Sequence, residues 1–282
     1  MDWQAGDIVV VPMPVSIDGT VREEVGDTLD EPLGVALAED RVIATSRPAP
    51  GRIEALYRSL ERQGCEGIVS VHLSGLLSGT VDSARLAALA VDIPVEIVDS
   101  RTAGMAQGFG VLAANAAVRS AGTMERAAAE AAMTCRSSSM YVYVPSLHQL
   151  RKGGRVSGAA GWLGTMLSVK VLLRIDEGRL VPVERLRYAE RALDRLAQLV
   201  AADLAVRPEG SSLAVHHFGD KLRADALAEK LSVEHPSAAI SVTRCPAVLA
   251  AHTGLGVIAV AVASPWQARA RDIDPGSRIL ST

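Results

Sequence analysis

Aromatic side chains are scarce in this chain of 282 residues: three Trp, four Tyr and two Phe make up 3% of it. Its core must therefore be filled by aliphatic side chains and alanine. The 49% hydrophobic content supplies them and argues against disorder. Cysteine is also sparse. Cys65, Cys135 and Cys245 stand far apart, without metal-ligand spacing, and are too few for a disulfide framework. A cytoplasmic location is expected from this reduced complement. Positive charge is not in excess either. A net charge of −3 and a pI near 6.1 provide no basic stripe for phosphates, which argues against binding nucleic acid. The N-terminus, M-D-W-Q-A-G-D, lacks a charged-then-apolar signal pattern. The most apolar late run, Val257 to Ala263, is far too short to cross a bilayer, so no stable membrane insertion is expected. P-loop and dinucleotide fingerprints are missing, as is an acidic metal cluster, so neither a metal nor a cofactor is expected.

What is present is an alternation of apolar strands and helices. Strand-like runs occur at Ile8 to Val15, Val42 to Ala44, Gly67 to Val71 and Val95 to Val98. Between them, Pro50-Gly51 opens a helix with Ile53, Leu56, Tyr57 and Leu60 on one face, and further helices follow Ser78, Ala103 and Met124. Such alternation predicts a parallel sheet with helices on both faces, and ligands at the C-terminal ends of its strands. After the strand Met140 to Val144 the pattern changes. The turn D-E-G-R joins two strand-like runs as a hairpin, and βαβ-like pieces follow it. The expectation is a two-domain α/β protein: an N-terminal parallel α/β domain (1–140) and a C-terminal mixed α/β domain (141–282).

Three segments carry chemistry. H-L-S-G-L-L-S-G-T (72–80) follows a strand and enters a helix, where unpartnered N–H groups and the helix dipole favour an anion. Ser78 reads there as an N-cap, with Gly79 leaving room for close approach. T-S-R-P-A-P (45–50) places two hydroxyls before a helix whose first turn holds proline. A-H-T-G-L-G (251–256) sets His252 in a glycine-flanked turn between apolar runs. Each has a bland alternative as a cap, a helix entry or a structural histidine. Hydroxyls, an imidazole and helix N-termini are nevertheless what a carboxylate requires.

In combination these segments resemble the DegV family of bacterial fatty-acid-binding proteins. That family shows T-S-Q-P-S-P, S-S-x-L-S-G-T, K-G-G-R and H-T-G-P-G in this order. Here they read T-S-R-P-A-P (45–50), S-G-L-L-S-G-T (74–80), K-G-G-R (152–155) and H-T-G-L-G (252–256), over nearly the whole chain, from about Val11 to Val262. The resemblance implies a two-domain α/β fold holding a long-chain fatty acid between the domains. It assigns the carboxylate to Thr45, Ser46, Ser78 and His252, with Ser74, Gly79, Thr80 and Thr253 as secondary candidates. It implies a carrier without catalytic residues that presents its lipid to a fatty-acid kinase, which makes an acyl phosphate for phospholipid synthesis. Arg151, Lys152 and Arg155 would face that partner or its phosphates, or form a plain solvated loop. Four differences from the family pattern stand out: Gly75 for a serine, Arg47 for glutamine, Val171 for proline and Leu255 for proline. The family's opening strand, ending D-S-T-A-D, has no match before Ile8.

Burying a tail of about fourteen carbons yields on the order of 10 kcal/mol, at about 0.8 kcal/mol per methylene. The tail therefore supplies affinity, while the polar groups offset desolvation of the carboxylate and orient it. Trp162, Leu163, Met166 and Leu167 could line such a tunnel or belong to the ordinary core. Three rival readings are a serine hydrolase, with Ser78 as nucleophile, His252 as base and Asp99 as orienter, a nucleotide or sugar-phosphate enzyme, which the missing phosphate-binding fingerprints disfavour, and a family member that has lost its ligand. The hydrolase lacks G-x-S-x-G around Ser78.

Overall fold

The computed structural model describes residues 8–120, 122–156 and 169–266. Trp162, Leu163, Met166 and Leu167 lie outside them. The described strands are β1 (Pro14–Ile17), β2 (Thr20–Glu23), β3 (Ile43–Thr45), β4 (Ile68–His72), β5 (Val95–Asp99), β6 (Ser139–Val144), β7 (Lys170–Asp176), β8 (Arg179–Leu186), β9 (Ser212–His217), β10 (Ala239–Arg244) and β11 (Ile258–Ala263). The described helices are α1 (Asp30–Ala38), α2 (Pro50–Arg62), α3 (Thr80–Ala88), α4 (Met105–Arg119), α5 (Met124–Ser137), α6 (His148–Gly153), α7 (Ala189–Leu204), α8 (Lys221–Glu234) and α9 (Ala247–Thr253).

β4 and β5 pair in parallel, His72 opposite Asp99 at their C-terminal ends. α2 and α3 cover one side of the pair through Ile53, Tyr57, Ala84 and Ala87. α4 and α5 cover the other through Ala114, Ala117, Ala127 and Ala131. This is the expected parallel unit with helices on both faces. The strand at Ile43–Thr45, expected to extend it, pairs instead with β1, antiparallel, in a separate sheet of order β2-β1-β3. The first strand also begins later than the apolar run implies. Pro12 and Pro14 have no N–H to donate to a ladder, so pairing starts at the second of them.

The larger sheet has the order β10-β9-β11-β6-β7-β8, with β10 and β9 parallel and the remaining pairs antiparallel. Its central strand, β11, reads I-A-V-A-V-A. Because side chains alternate between the faces of a strand, Ile258, Val260 and Val262 pack under α7 and α8. Ala259, Ala261 and Ala263 point to the opposite face, toward Met140, Val142 and the apolar side of α4. Large residues face one way and methyl groups the other, which leaves room above the alanines.

α9 lies beside that room and is held from the N-terminal part of the chain. It packs against α1, β1, β3 and α6. The Ala247 N–H, in its first turn, donates to both carboxylate oxygens of Glu24, at 2.9 and 3.0 Å. Arg244, just before α9, pairs with Asp30 at the start of α1. Replacing Glu24 with alanine should cost about 1 kcal/mol, the usual effect of a lost helix cap. Urea unfolding of Glu24→Ala beside the parent protein measures it, and unchanged stability would contradict the capping role.

Candidate functional site

The three motif segments converge on one cavity. β3 ends at Thr45, α9 ends at Thr253, and the loop after β4 delivers Ser78 and Gly79; all line a space of about 250 Å³. That lies just under the ~300 Å³ lower bound of common small-molecule sites. Arg47, Ser46 and Arg155 are exposed and mark its mouth. Its remaining walls are apolar: Met13, Leu73 and Leu77 on one side, Val248, Leu249 and Val257 on another, with Met140, Val142 and Ala259 from the large sheet.

The link that assembles the polar end joins residues 207 positions apart: Thr45 Oγ1 and His252 Nε2 share a hydrogen bond of 2.8 Å. His252 stands in the last turn of α9, not in the expected open turn; the glycines follow it as the helix end, with Gly254 at φ 90°. Burial, and secondarily the nearby Arg155 guanidinium, holds the His252 pKa down at about 4, so the imidazole is neutral at neutral pH. A neutral ring can donate to a carboxylate or accept from a hydroxyl, according to its tautomer. Gly153 makes the ring's position accessible. A Cβ there would come within 2.5 Å of His252 Nδ1. The K-G-G-R segment is therefore part of the site: its Lys152 and Gly153 are the last residues of the helix α6 rather than a turn, and Gly154 closes that helix in the left-handed conformation at φ 62°.

Ser78 does not cap its helix. Gly79 occupies the N-cap of α3, without a side-chain bond, and Ser78 Oγ instead pairs with Thr80 Oγ1 at 2.7 Å. Thr80 is buried and outside the cavity lining, so it orients Ser78 while Ser78 and Gly79 face the space. Ser78 stands one residue before the N-terminus of a nine-residue helix, whose first N–H groups and dipole favour an anion. Asp99 holds the loop in place, accepting the Gly75 N–H at 3.1 Å and the Arg101 N–H at 3.0 Å. A Cβ at Gly75 would lie 2.8 Å from an Asp99 carboxylate oxygen, which explains the glycine where the family motif has serine.

The other sequence candidates separate. Ser46 lines the mouth, and its N–H donates to Pro14 O at 3.1 Å. Thr253 lines the cavity while its hydroxyl donates to Leu249 O at 2.9 Å, leaving its lone pairs. Ser74 lies outside the lining; it is fully buried, and its hydroxyl donates to Gly178 O in the β7–β8 turn at 2.7 Å. Lys152 pairs with Asp40 at 2.5 Å, tying α6 to the loop after α1, and Arg151 is exposed. Arg155 belongs to the cavity mouth, where it donates to Gly153 O at 2.6 Å. Arg47 was visible in the sequence only as a departure from the family motif. Its guanidinium lies over Gly79, where an added Cβ would meet Nη1 at 2.5 Å. The mouth thus holds two arginines, and among the described residues that line the cavity there is neither Asp nor Glu. The lining thiol, Cys245, is pushed up by burial.

The pairings of a serine hydrolase are not formed. His252 bonds Thr45 rather than Ser78, Ser78 bonds Thr80, and Asp99 is engaged with the backbone N–H groups of Gly75 and Arg101. Among the described residues no group of His, Cys, Asp and Glu is arranged to hold a metal ion.

Two histidines elsewhere behave like His252: burial holds both His72 and His216 at about 4. In the unfolded chain each would titrate near 6.5. Between these values the unfolded state binds more protons, so stability should be level above pH ~6.5 and fall as pH drops toward about 4. Urea unfolding at neutral pH and at two points inside that window checks this; a flat profile would contradict three neutral histidines.

Comparison with known proteins agrees with this architecture. The sequence profile of the DegV family, whose description is of uncharacterised proteins, matches residues 2–264. A DegV domain-containing protein of Streptomyces coelicolor is 38% identical over 258 residues, covering 91% of each chain. One from Mycobacterium bovis is 38% identical over 262 residues, covering 89% of this chain and 88% of its own. Among solved structures, a DegV family protein from Thermus thermophilus described for fatty acid binding superposes with a TM-score of 0.83 at 29% identity, over 91% of both chains. DegV from Bacillus subtilis, described as a fatty acid binding protein, gives 0.80 at 27% identity, over 90% of this chain and 91% of its own. From its motifs, its fold and these matches together, the chain belongs to the DegV family.

Proposed function

We propose that this protein binds a long-chain fatty acid in the cavity, with the carboxylate held by Thr45, Ser46, Ser78 and His252. The observation that carries the reading is the segregation of the lining: hydroxyls, one neutral imidazole and two arginines at the mouth, and apolar side chains beyond. An ionised head group alone would gain little from leaving water, and an apolar tail alone would need no such donors. A ligand with both parts satisfies both ends. Two relatives of this fold are described as fatty acid binding proteins, which supports the same ligand class. Lipid extracted from the purified protein and identified by mass spectrometry should contain fatty acid. Removing two donors to an ionised acceptor, in the double variant His252→Ala with Ser78→Ala, should weaken binding by about a hundredfold or more, at about 1.5–3 kcal/mol per bond. Circular dichroism should show the variant folded; unchanged affinity would refute the head-group assignment.

The protein acts in this reading as a cytoplasmic carrier rather than an enzyme. It exposes the carboxylate end of its lipid to a fatty-acid kinase, which makes the acyl phosphate. The support is that the polar end, not the apolar end, lies at the exposed mouth, beside Arg47 and Arg155. Two positive charges suit a head group that gains negative charge on phosphorylation. Loaded protein, ATP and a candidate kinase should yield acyl phosphate, with a several-fold slower rate for Arg155→Ala. Equal rates would remove Arg155 from the transfer.

A further inference from the structure

We infer that Met140 closes the far end of the cavity and sets the length of acyl chain it accepts, an inference that rests on the fatty-acid reading above. The strand register supplies the axis. β11 leaves the His252 side at Val257 and runs through Ala259 to Ala261, and β6 runs antiparallel beside it, Val142 opposite Ala259 and Met140 opposite Ala261. Val257, Ala259, Val142 and Met140 line the cavity, whereas Ala261 does not. Along this pair of strands, therefore, the described lining runs away from the head group as far as Met140, opposite Ala261, with Ile175 of β7 and Leu180 of β8 lining the space beside β6. From Val257 to Ala261 is four residues, about 13 Å at ~3.3 Å each. At about 1.25 Å per carbon, from a ~1.52 Å bond and a ~111° angle, that wall accompanies roughly ten methylenes.

What stands behind Met140 is rigid. Its methyl group abuts Gly104, where an added Cβ would meet Met140 Cε at 3.2 Å and His216 Nε2 at 3.1 Å. Gly104 holds φ 57° at the start of α4, a conformation that favours glycine. The next residue, Met105, donates its N–H to His216 Nε2 at 3.0 Å. A soft, unbranched side chain is thus backed by a fixed wall. Methionine in that position can shift to meet ligands of slightly different length, but it cannot be pushed far.

The test measures affinity of the delipidated full chain for saturated fatty acids of twelve, fourteen, sixteen, eighteen and twenty carbons. Met140→Ala should move the optimum up by about two carbons and tighten the longer ligand roughly tenfold, as two more methylenes become enclosed. Met140→Phe should move it down, while Met140→Leu should leave it unchanged. Because alanine at a buried strand position lowers stability, Met140→Val, a better strand former, is measured in parallel and should shift the optimum upward by less. An unchanged optimum in folded Met140→Val and Met140→Phe would overturn the assignment while leaving fatty-acid binding intact. A parent protein that binds none of the series would overturn the fatty-acid reading itself and this inference with it.

Discussion

The hydrogen bond between Thr45 and His252 is the contact on which the site depends. It joins the end of β3 to the last turn of α9, across 207 positions of sequence. Neither partner could be replaced by water without cost, because the imidazole is held neutral by burial. Its geometry is enforced from three sides. Glu24 and the Arg244–Asp30 pair hold the start of α9, Gly153 admits the ring, and β3 is fixed by its pairing with β1. The N-terminal part of the chain therefore shapes the site twice, supplying Thr45 and clamping the helix that carries His252.

A cavity must also be kept empty, and here the device is compositional. Protein interiors close-pack, and a void costs free energy. β11 meets this by dividing its side chains, β-branched toward α7 and α8 and alanine toward the cavity. The helix-facing side supplies cohesion for the sheet, so the opposite side can stay thin. The scarcity of aromatic residues fits the same plan, since large flat rings would fill the space that a flexible tail is to occupy.

Much of the fold was legible before the structure. The strands and the longer helices from Ile68 onward follow from period and punctuation, because long apolar stretches bounded by glycine and aspartate leave few alternatives. α1 was not legible: Pro32 and Gly34 lie within it, it has no side-chain cap, and tertiary contacts hold it, the burial of Leu33, Ala36 and Leu37 and the Arg244–Asp30 pair. α9 was hidden too. Its seven residues, A-V-L-A-A-H-T, are too short to show helical period, so His252 read as a loop residue. The pairing of β3 with β1 could not be seen, since direction is set by tertiary contact and not by a three-residue run. At the site, motif order identified Thr45, Ser78 and His252, and the cavity collects all three. Ser74 and Lys152 share those motifs, yet their side chains serve the β7–β8 turn and the loop after α1. The part played by Gly153 rests on a close approach that one-dimensional spacing does not encode.

A crystal structure of the protein loaded with a saturated sixteen-carbon fatty acid tests the central claim most directly. The account predicts the carboxylate within hydrogen-bond distance of Thr45, Ser78 and His252, and the tail running along Val257 and Ala259 toward Met140. A carboxylate bound elsewhere, or a tail lying outside this cavity with the Thr45–His252 bond undisturbed, would contradict it.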